Sequence, residues 1–409
     1  MDCSPKKTPP CRDVSSVTPN STPGLKRSGS SGSTTPGAER PGVAEVRCRL
    51  STRSLANRCT VLHDAPVPIS RRTPATLKDV AQLAGVHTAT ASRALDPARR
   101  NLVNDQTRER VQAAADEVGY RGNTFARSLR TNSSGMVGVV VADVANPFLP
   151  PLLRGIEQEL RAEGKLLMIA ETHDNSEMLA DILEHFTSRR VDAVILSAAH
   201  RGDEEAVAGL ADVVPVVLAV RSLSINMFPT VTHDDVLGGQ LAAKHLVNLG
   251  HRRLVQLRGP LDVSSFQGRA EGFASVMATT SARELPLQET ASAPTVEEGQ
   301  RLAELALNSS YGLPTAIFAH NDLMAVGALQ ALRERGLSCP RDVSLVGYND
   351  APLSNHISPP LTTVSLPSLE LGRRVATLAI QAIAGSAEPV MERLPPALVV
   401  RASTQRPQA

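Results

Sequence analysis

Thr76-Leu77-Lys78-Asp79-Val80-Ala81-Gln82-Leu83-Ala84-Gly85-Val86, followed by His87-Thr88-Ala89-Thr90-Ala91-Ser92-Arg93-Ala94-Leu95, is the stretch that decides how this chain is read. Thr76 and Asp79 have the spacing of a capping box, an N-cap hydroxyl with an acid three residues on. Leu77, Val80, Ala81 and Ala84 then recur at helical intervals, and Gly85 supplies a residue able to end the helix in the left-handed conformation. A second helix is predicted from about Thr88 to Leu95, with Ala91, Ala94 and Leu95 facing inward. Two short helices joined at Ala84-Gly85-Val86 make a helix-turn-helix candidate. Asn104 caps a third helix, whose Val111, Ala114, Ala115 and Val118 form one apolar face and whose stop is Gly119. Any small three-helix bundle shares this apolar pattern. The polar outer face of the second helix, with Thr88, Thr90 and Arg93, is what points to DNA.

Outward from this unit the charge is uneven. The 409 residues carry 43 Lys and Arg against 41 Asp and Glu, a balance of +2. Residues 1–72 hold 12 basic and 5 acidic residues, residues 73–135 hold 9 and 6, and residues 136–409 hold 22 and 30. A basic N-terminal third joined to an acidic body is expected of a nucleic-acid reader tied to something else. In residues 1–42, Ser, Thr, Pro and Gly fill 25 positions, too few apolar groups to offset chain entropy, so residues 1–72 are read as a disordered basic tail. Cys3, Cys11, Cys48 and Cys59 fall in that tail without a C-x-x-C pair. Neither zinc nor a redox dithiol is expected, and the body, with Cys339 alone, suits a reducing cytoplasm. No run approaches the ~18 consecutive apolar residues of a membrane span. After the third helix, Asn123-Thr124-Phe125-Ala126-Arg127-Ser128-Leu129-Arg130 is too short to hold a helix alone. Arg127 and Arg130 there suit phosphates, and Leu129 suits either a wedge between base steps of a minor groove or packing on the helical bundle.

From residue 136 apolar runs alternate with helical patterns. Strands are predicted at Val137–Ala142, Leu166–Ala170, Ala193–Leu196, Val214–Ala219, Leu254–Leu257, Ala316–Ala319 and Ser344–Val346. Helices are predicted near 149–163, 176–190, 203–211, 235–249, 267–278, 297–308 and 322–335. This rhythm predicts parallel sheet with helices on both faces, and the length suits two doubly wound lobes. Ligands in such folds sit beyond the carboxyl ends of strands. Those ends read Ala142-Asp143-Val144-Ala145-Asn146-Pro147-Phe148, Val220-Arg221, Ala319-His320-Asn321-Asp322 and Gly347-Tyr348-Asn349-Asp350.

The 76–95 stretch, with Asn104–Val111, Gly119-Tyr120 and Ala126–Leu129, resembles the DNA-binding domain of the lactose-repressor (LacI/GalR) family of transcriptional regulators. The similarity extends over nearly all of residues 75–404, through Asn146-Pro147-Phe148, Leu249–Arg253, Gly268–Phe273, Asn321–Ala325, Asp342–Asp350 and Pro360–Val364. The body resembles that family's effector-binding core, itself similar to periplasmic sugar-binding proteins. The resemblance implies that helix 88–95 enters the major groove, with Thr88, Ala89 and Arg93 at base-reading positions and Leu129 as the hinge-helix wedge. Thr76, His87, Thr90, Asn104, Tyr120, Asn123, Arg127 and Arg130 complete the implied DNA-contacting set. Arg269, Asn321 and Asn349 become polar clamps on an effector and Phe148 a wall from the other lobe, joined by Asp174, Arg221 and Phe266. A forked donor and two amides suit a sugar's neighbouring hydroxyls or a carboxylate; the alternative is that Asn321 and Asn349 cap helices or form turns and Arg269 sits in an ion pair. The chain departs from the family at His87, where Ser is frequent, at Val220, where an aspartate often precedes the arginine, and at Asn349, where Asp is frequent. Its aromatic content is 2% with no Trp, so ring stacking rests on Phe148 or Phe266.

No P-loop, nucleophile elbow, His-Glu-x-x-His or dinucleotide fingerprint is present, so no enzyme, cofactor or metal is expected. His233-Asp234-Asp235 reads as a helix cap more readily than as a partial metal site. Four segments are predicted: the tail at 1–72, a helix-turn-helix domain at 73–122, a hinge at 123–135, and a two-lobed effector and dimerisation domain at 136–404. The expected function is a cytoplasmic, nucleoid-associated repressor, a homodimer on a quasi-palindromic operator whose affinity is set by a small molecule, by default a sugar. The alternative is a soluble sugar-binding protein without specific DNA binding. On the sequence alone, Arg269→Ala is expected to abolish the effector response without removing DNA binding.

Overall fold

The computed structural model describes residues 75–96, 99–121 and 133–408. The expected tail, and the hinge residues Asn123, Arg127, Leu129 and Arg130, lie outside the described residues.

The N-terminal described unit is three helices, α1 (Leu77–Leu83), α2 (Thr88–Ala94) and α3 (Asp105–Val118), with a short 3-10 turn at Arg100–Leu102. Each start is fixed by a side chain. Thr76 and Asp79 form the reciprocal capping box, and Asn104 Oδ1 accepts the Thr107 amide at 2.8 Å. Gly85 at φ +61° and Gly119 at φ +66° take the left-handed turns that follow α1 and α3. Small side chains, Ala81, Ala84, Ala91, Ala94, Ala114 and Ala115, surround Val80 and Val111 in the core. Alanines at facing positions let three short helices approach closely enough to bury a shared core.

The body is two six-stranded sheets flanked by helices. The first lobe's sheet contains β1 (Met136–Val141), β2 (Leu166–Glu171), β3 (Ala193–Leu196), β4 (Val216–Ala219), β5 (Thr230–His233) and β11 (Met391–Leu394). Its strand order is β11-β5-β4-β3-β1-β2, parallel throughout. The second lobe's sheet contains β6 (Arg253–Leu257), β7 (Arg283–Glu284), β8 (Ala316–Ala319), β9 (Ser344–Asn349), β10 (Thr362–Ser365) and β12 (Ala397–Val399). Its order is β12-β10-β9-β8-β6-β7, with only the β10–β12 pair antiparallel. Side chains along β1 and β3 split by parity. Val137, Val139, Val141, Ala193 and Ile195 face α4 (Leu149–Ala162) and α11 (Ser368–Ile383). Val140, Val194 and Leu196 face α5 (Ser176–Ser188) and α6 (Glu204–Ala211). In the second lobe α7 (Asp235–Asn248) and α8 (Ser264–Met277) cover one face, and α9 (Val296–Leu307) and α10 (Asp322–Glu334) the other. Burial on both faces is what the near-continuous apolar strands require.

The chain passes between the lobes three times: after β5, after β10, and between β11 and β12. Helix pairs pack through reciprocal glycines. A Cβ at Gly155 would run into the backbone of α11, and one at Gly272 into the Val236 carbonyl of α7.

All seven predicted strands and seven predicted helices are present within a few residues. The sequence reading marks no strand at β5, β7, β10, β11 or β12 and no helix after residue 335. Thr230-Val231-Thr232-His233 and Thr362-Thr363-Val364-Ser365 look polar but lie inside, because partners satisfy the hydroxyls. Thr363 donates to Asp322 Oδ1 at 2.6 Å and Thr230 to the Phe228 carbonyl at 2.9 Å. α11 follows Pro367 with no side-chain cap, so its start carries no capping signal, although Leu371, Val375 and Leu378 carry the right period.

Candidate functional site

Thr88, Ala89, Ser92 and Arg93 are exposed on α2, with Thr90 half-buried. Their inward neighbours Ala91 and Ala94 are buried, so the periodicity that makes the core also aims these side chains outward. His87 takes over the N-cap role: its Nδ1 accepts the Ala89 amide at 3.2 Å. His87→Ala should lower the local stability of α2 by about 1 kcal/mol while His87→Ser holds it, read as amide exchange across residues 88–95. Equal exchange in both variants would contradict the cap. Tyr120 is half-buried against the helical core, a packing position rather than an open one. Thr76 and Asn104 are exposed, with side chains engaged as caps. At the exit of the predicted hinge, Ser133 Oγ and the Ser134 and Gly135 amides donate to the Asp192 carboxylate at 2.7, 2.6 and 3.1 Å. Lys165 Nζ pairs with the same carboxylate at 2.9 Å. Residues 133–135 are therefore anchored to the first lobe.

The second site is the cleft between the lobes at the carboxyl ends of the parallel strands. Ala142, Asp143, Asn146 and Phe148 enter it after β1, Ser197 after β3, Val220 and Arg221 after β4, Asn321 after β8 and Asn349 at the end of β9. Ser265, Phe266 and Arg269 on α8, together with Pro294, close the second-lobe side. Six of the seven expected effector residues line this cleft. Asp174 does not: it stands behind Arg221, accepting from Arg221 Nη1 at 2.7 Å and lying 2.6 Å from His200 Nε2. A carboxylate beside a buried guanidinium is drawn to it. Burial raises the Asp174 pKa, but the His200 hydrogen bond and the Arg221 charge outweigh it and hold it at about 2.

The polar clamps differ in how much of each is free. Asn321 is also the N-cap of α10, its Oδ1 accepting the Met324 amide at 2.7 Å and its Nδ2 donating to the Pro294 carbonyl at 2.8 Å. Arg269 is 4% exposed. Its Nε donates to Asp235 Oδ1 at 2.9 Å, its Nη1 to the His320 carbonyl, and its guanidinium lies 3.9 Å from the Tyr348 ring centroid. That leaves Nη2 as the donor for a ligand. Asn349 is the opposite case: its Oδ1 is buried without a hydrogen-bond partner. Asn349 sits at φ +107° and Val220 at φ +67°, and Val220 is β-branched in a tight turn closed by the Arg221 amide on the Ala219 carbonyl at 2.6 Å. Two non-glycine residues held in the left-handed region at one cleft mark it as a place where backbone strain is retained. Phe148 and Phe266 are the ring-bearing walls, Phe266 stacked on His320 at 6.2 Å. His320, fully buried beside Arg269 and Arg258, is held well below its usual pKa by burial and is neutral.

Asp234 Oδ1 caps α7 by accepting the Leu237 amide at 2.9 Å, as expected for the His233-Asp234-Asp235 cluster. Among the described residues no group of three His, Cys, Asp or Glu is arranged to hold a metal, and no helix is long and apolar enough to cross a membrane. The sequence reading did not single out Asp143, Asn146, Ser197 or Ser265 as ligand contacts. The first two sit in a quoted strand-end stretch, whereas nothing local marks Ser197 or Ser265.

Comparison with known proteins places both sites in context. Residues 76–123 match the bacterial regulatory proteins of the lacI family, and residues 243–404 match the periplasmic binding protein-like domain. The chain is 30% identical over 336 residues to the HTH-type transcriptional repressor PurR of Haemophilus influenzae (strain PittEE), covering 81% of this chain and 99% of that protein. It is 34% identical over 304 residues to the ribose operon repressor of Bacillus subtilis (strain 168), covering 74% and 90%. Among solved structures, the Lac repressor dimer bound to operator and the anti-inducer ONPF superposes with a TM-score of 0.72 at 28% identity, covering 81% of this chain and all of that one.

Proposed function

This chain belongs to the LacI family of bacterial regulatory proteins, and from that premise we propose that it is a repressor acting as a homodimer on a quasi-palindromic operator, released or tightened by a small hydroxylated metabolite bound between its lobes. The observation that carries the ligand site is the buried, unpartnered Asn349 Oδ1 in a cleft that also offers Arg269 Nη2. A buried acceptor without a donor is costly, and a ligand hydroxyl or amine supplies the missing proton. Arg221 and Phe148 hold the first-lobe side, so a ligand touching both walls favours one angle between the lobes. A sugar is the leading class, because adjacent hydroxyls match the donor and acceptor set and two Phe rings offer apolar faces. The repressors of this family whose names identify an operon include a ribose operon repressor.

On the DNA side, α2 reads base edges through Thr88, Ala89 and Arg93, Ala89 offering only a methyl contact to thymine. Leu129 serves as the minor-groove wedge, with Asn123, Arg127 and Arg130 beside it. The experiment is a mobility shift of the full chain on its own upstream region at rising salt, paired with a thermal-shift screen against sugars and nucleosides. A specific complex that persists at physiological salt is the expected result. Loss of all sequence preference at that salt, with or without a stabilising ligand, would favour a binding protein that does not read DNA.

A further inference from the structure

We propose that His200 is a positioning residue that clasps the two lobes over the cleft and ties the clasp through Asp174 to Arg221, and that the interlobe bond closes only while its imidazole carries both protons. Three loops meet at this side chain. Asp174 follows β2, His200 follows β3, and Asp262 comes from the opposite lobe, between β6 and α8. His200 Nε2 lies 2.6 Å from Asp174 Oδ1 and its Nδ1 lies 2.8 Å from Asp262 Oδ2. An ionised carboxylate only accepts, so two such contacts require an N–H on each ring nitrogen. A neutral imidazole satisfies one of them and turns a bare lone pair to the other.

The same Asp174 oxygen also accepts Arg221 Nη1 at 2.7 Å, so the second lobe is linked by Asp262, His200 and Asp174 to a side chain on the cleft wall. Two further bonds stitch the Asp262 loop to the first lobe. The Arg201 amide donates to the Asp262 carbonyl at 3.1 Å, and the Ser222 amide donates to Ser264 Oγ at 2.8 Å. Two neighbouring carboxylates are already committed. Asp203 Oδ2 accepts the His200 amide at 2.7 Å, and Glu204 accepts the Gly202 and Ser224 amides at 2.7 and 3.3 Å.

The sign of the pH response follows from these contacts. The hydrogen bond to Asp174, supported by Asp262 and opposed by burial and by Arg221, raises the His200 pKa above the ordinary 6.5. The clasp is therefore complete on the acidic side and is lost as pH rises through that raised value. When one proton leaves, Asp174 still has Arg221. The Asp262 side chain is 55% exposed against 20% for Asp174, and water replaces its donor. The interlobe bond is the one that opens.

The consequence for effector binding rests on the cleft reading above, whereas the clasp itself is tested without any ligand. Full chain carrying 13C-labelled histidine is titrated by NMR between about pH 5 and pH 9, with His200→Gln identifying the resonance. Asp262→Asn, at an exposed position, removes the charge across the lobes without threatening the fold. The expected result is a His200 titration above 6.5 that falls in Asp262→Asn. At about pH 6, that variant should also show amide exchange at least about threefold faster in segments 199–203 and 260–264. A wild-type titration at or below 6.5, or an Asp262→Asn variant with unchanged titration or unchanged exchange, overturns the clasp. A ligand found to bind elsewhere would remove the effector reading and leave the clasp standing.

Discussion

Arg269→Ala should cost the protein about 3–5 kcal/mol of stability, far more than loss of one ligand contact. The reason is Asp235, 7% exposed, whose carboxylate faces Arg269 Nε at 2.9 Å and the Tyr348 hydroxyl at 2.9 Å. Without the guanidinium that carboxylate stays buried with a single neutral donor, and burial already pushes its pKa up against the pull of Arg269. The Tyr348 ring loses the cation stacked on it and the His320 carbonyl loses its donor. Chemical denaturation of the full chain reads this directly, and the Arg269→Met, Asp235→Asn double variant should recover part of the loss, because both charges go together. A stable Arg269→Ala protein lacking only its ligand response would restore the sequence-based expectation. Arg269 braces β9, α7 and α8 before it meets any ligand.

Arg93→Ala should have the largest effect on DNA. Arg93 is exposed near the end of α2, with a fork able to meet guanine O6 and N7. One such contact is worth about 1–3 kcal/mol, and a homodimer on two half-sites loses it twice, about 2–6 kcal/mol in all. Anisotropy titrations at fixed salt should show weaker operator binding, with discrimination relaxed at one symmetric pair of base positions. Uniform weakening across all sequences with a shallower salt slope would instead make Arg93 a phosphate contact.

The two regions were not equally legible in the sequence. The helix-turn-helix could be read almost whole because its signals are local: Thr76 with Asp79, Asn104 with Thr107, and left-handed glycines at 85 and 119. His87 as a cap was a departure from the family whose consequence required coordinates, since an imidazole serves only if Nδ1 turns back to the Ala89 amide. In the body, apolar runs located the central strands and hence the strand ends that build the cleft. Strands β5 and β10 escaped because their buried hydroxyls look polar until their partners are known. The roles of Asp174, Asn321 and Arg269 were hidden for a similar reason. Asp174 and Arg269 are set by partners distant in sequence, His200 and Arg221 for the first and Asp235 for the second, whereas Asn321 divides between the local Met324 amide and the distant Pro294 carbonyl. Residue type named the right side chains for the cleft, and only geometry separated those free for a ligand from those already engaged.

Control of DNA affinity by a ligand between the lobes is measurable in one titration, because the coupling between the two sites is reciprocal. Operator affinity of the full chain, measured by anisotropy with and without a saturating compound from the thermal-shift screen, should change by about 5–150-fold, in either direction. The same compound should lose its effect when Asn349→Leu removes the unpaired acceptor. A compound that stabilises the protein through the cleft and leaves operator affinity unchanged would show that cleft and DNA-binding unit are uncoupled.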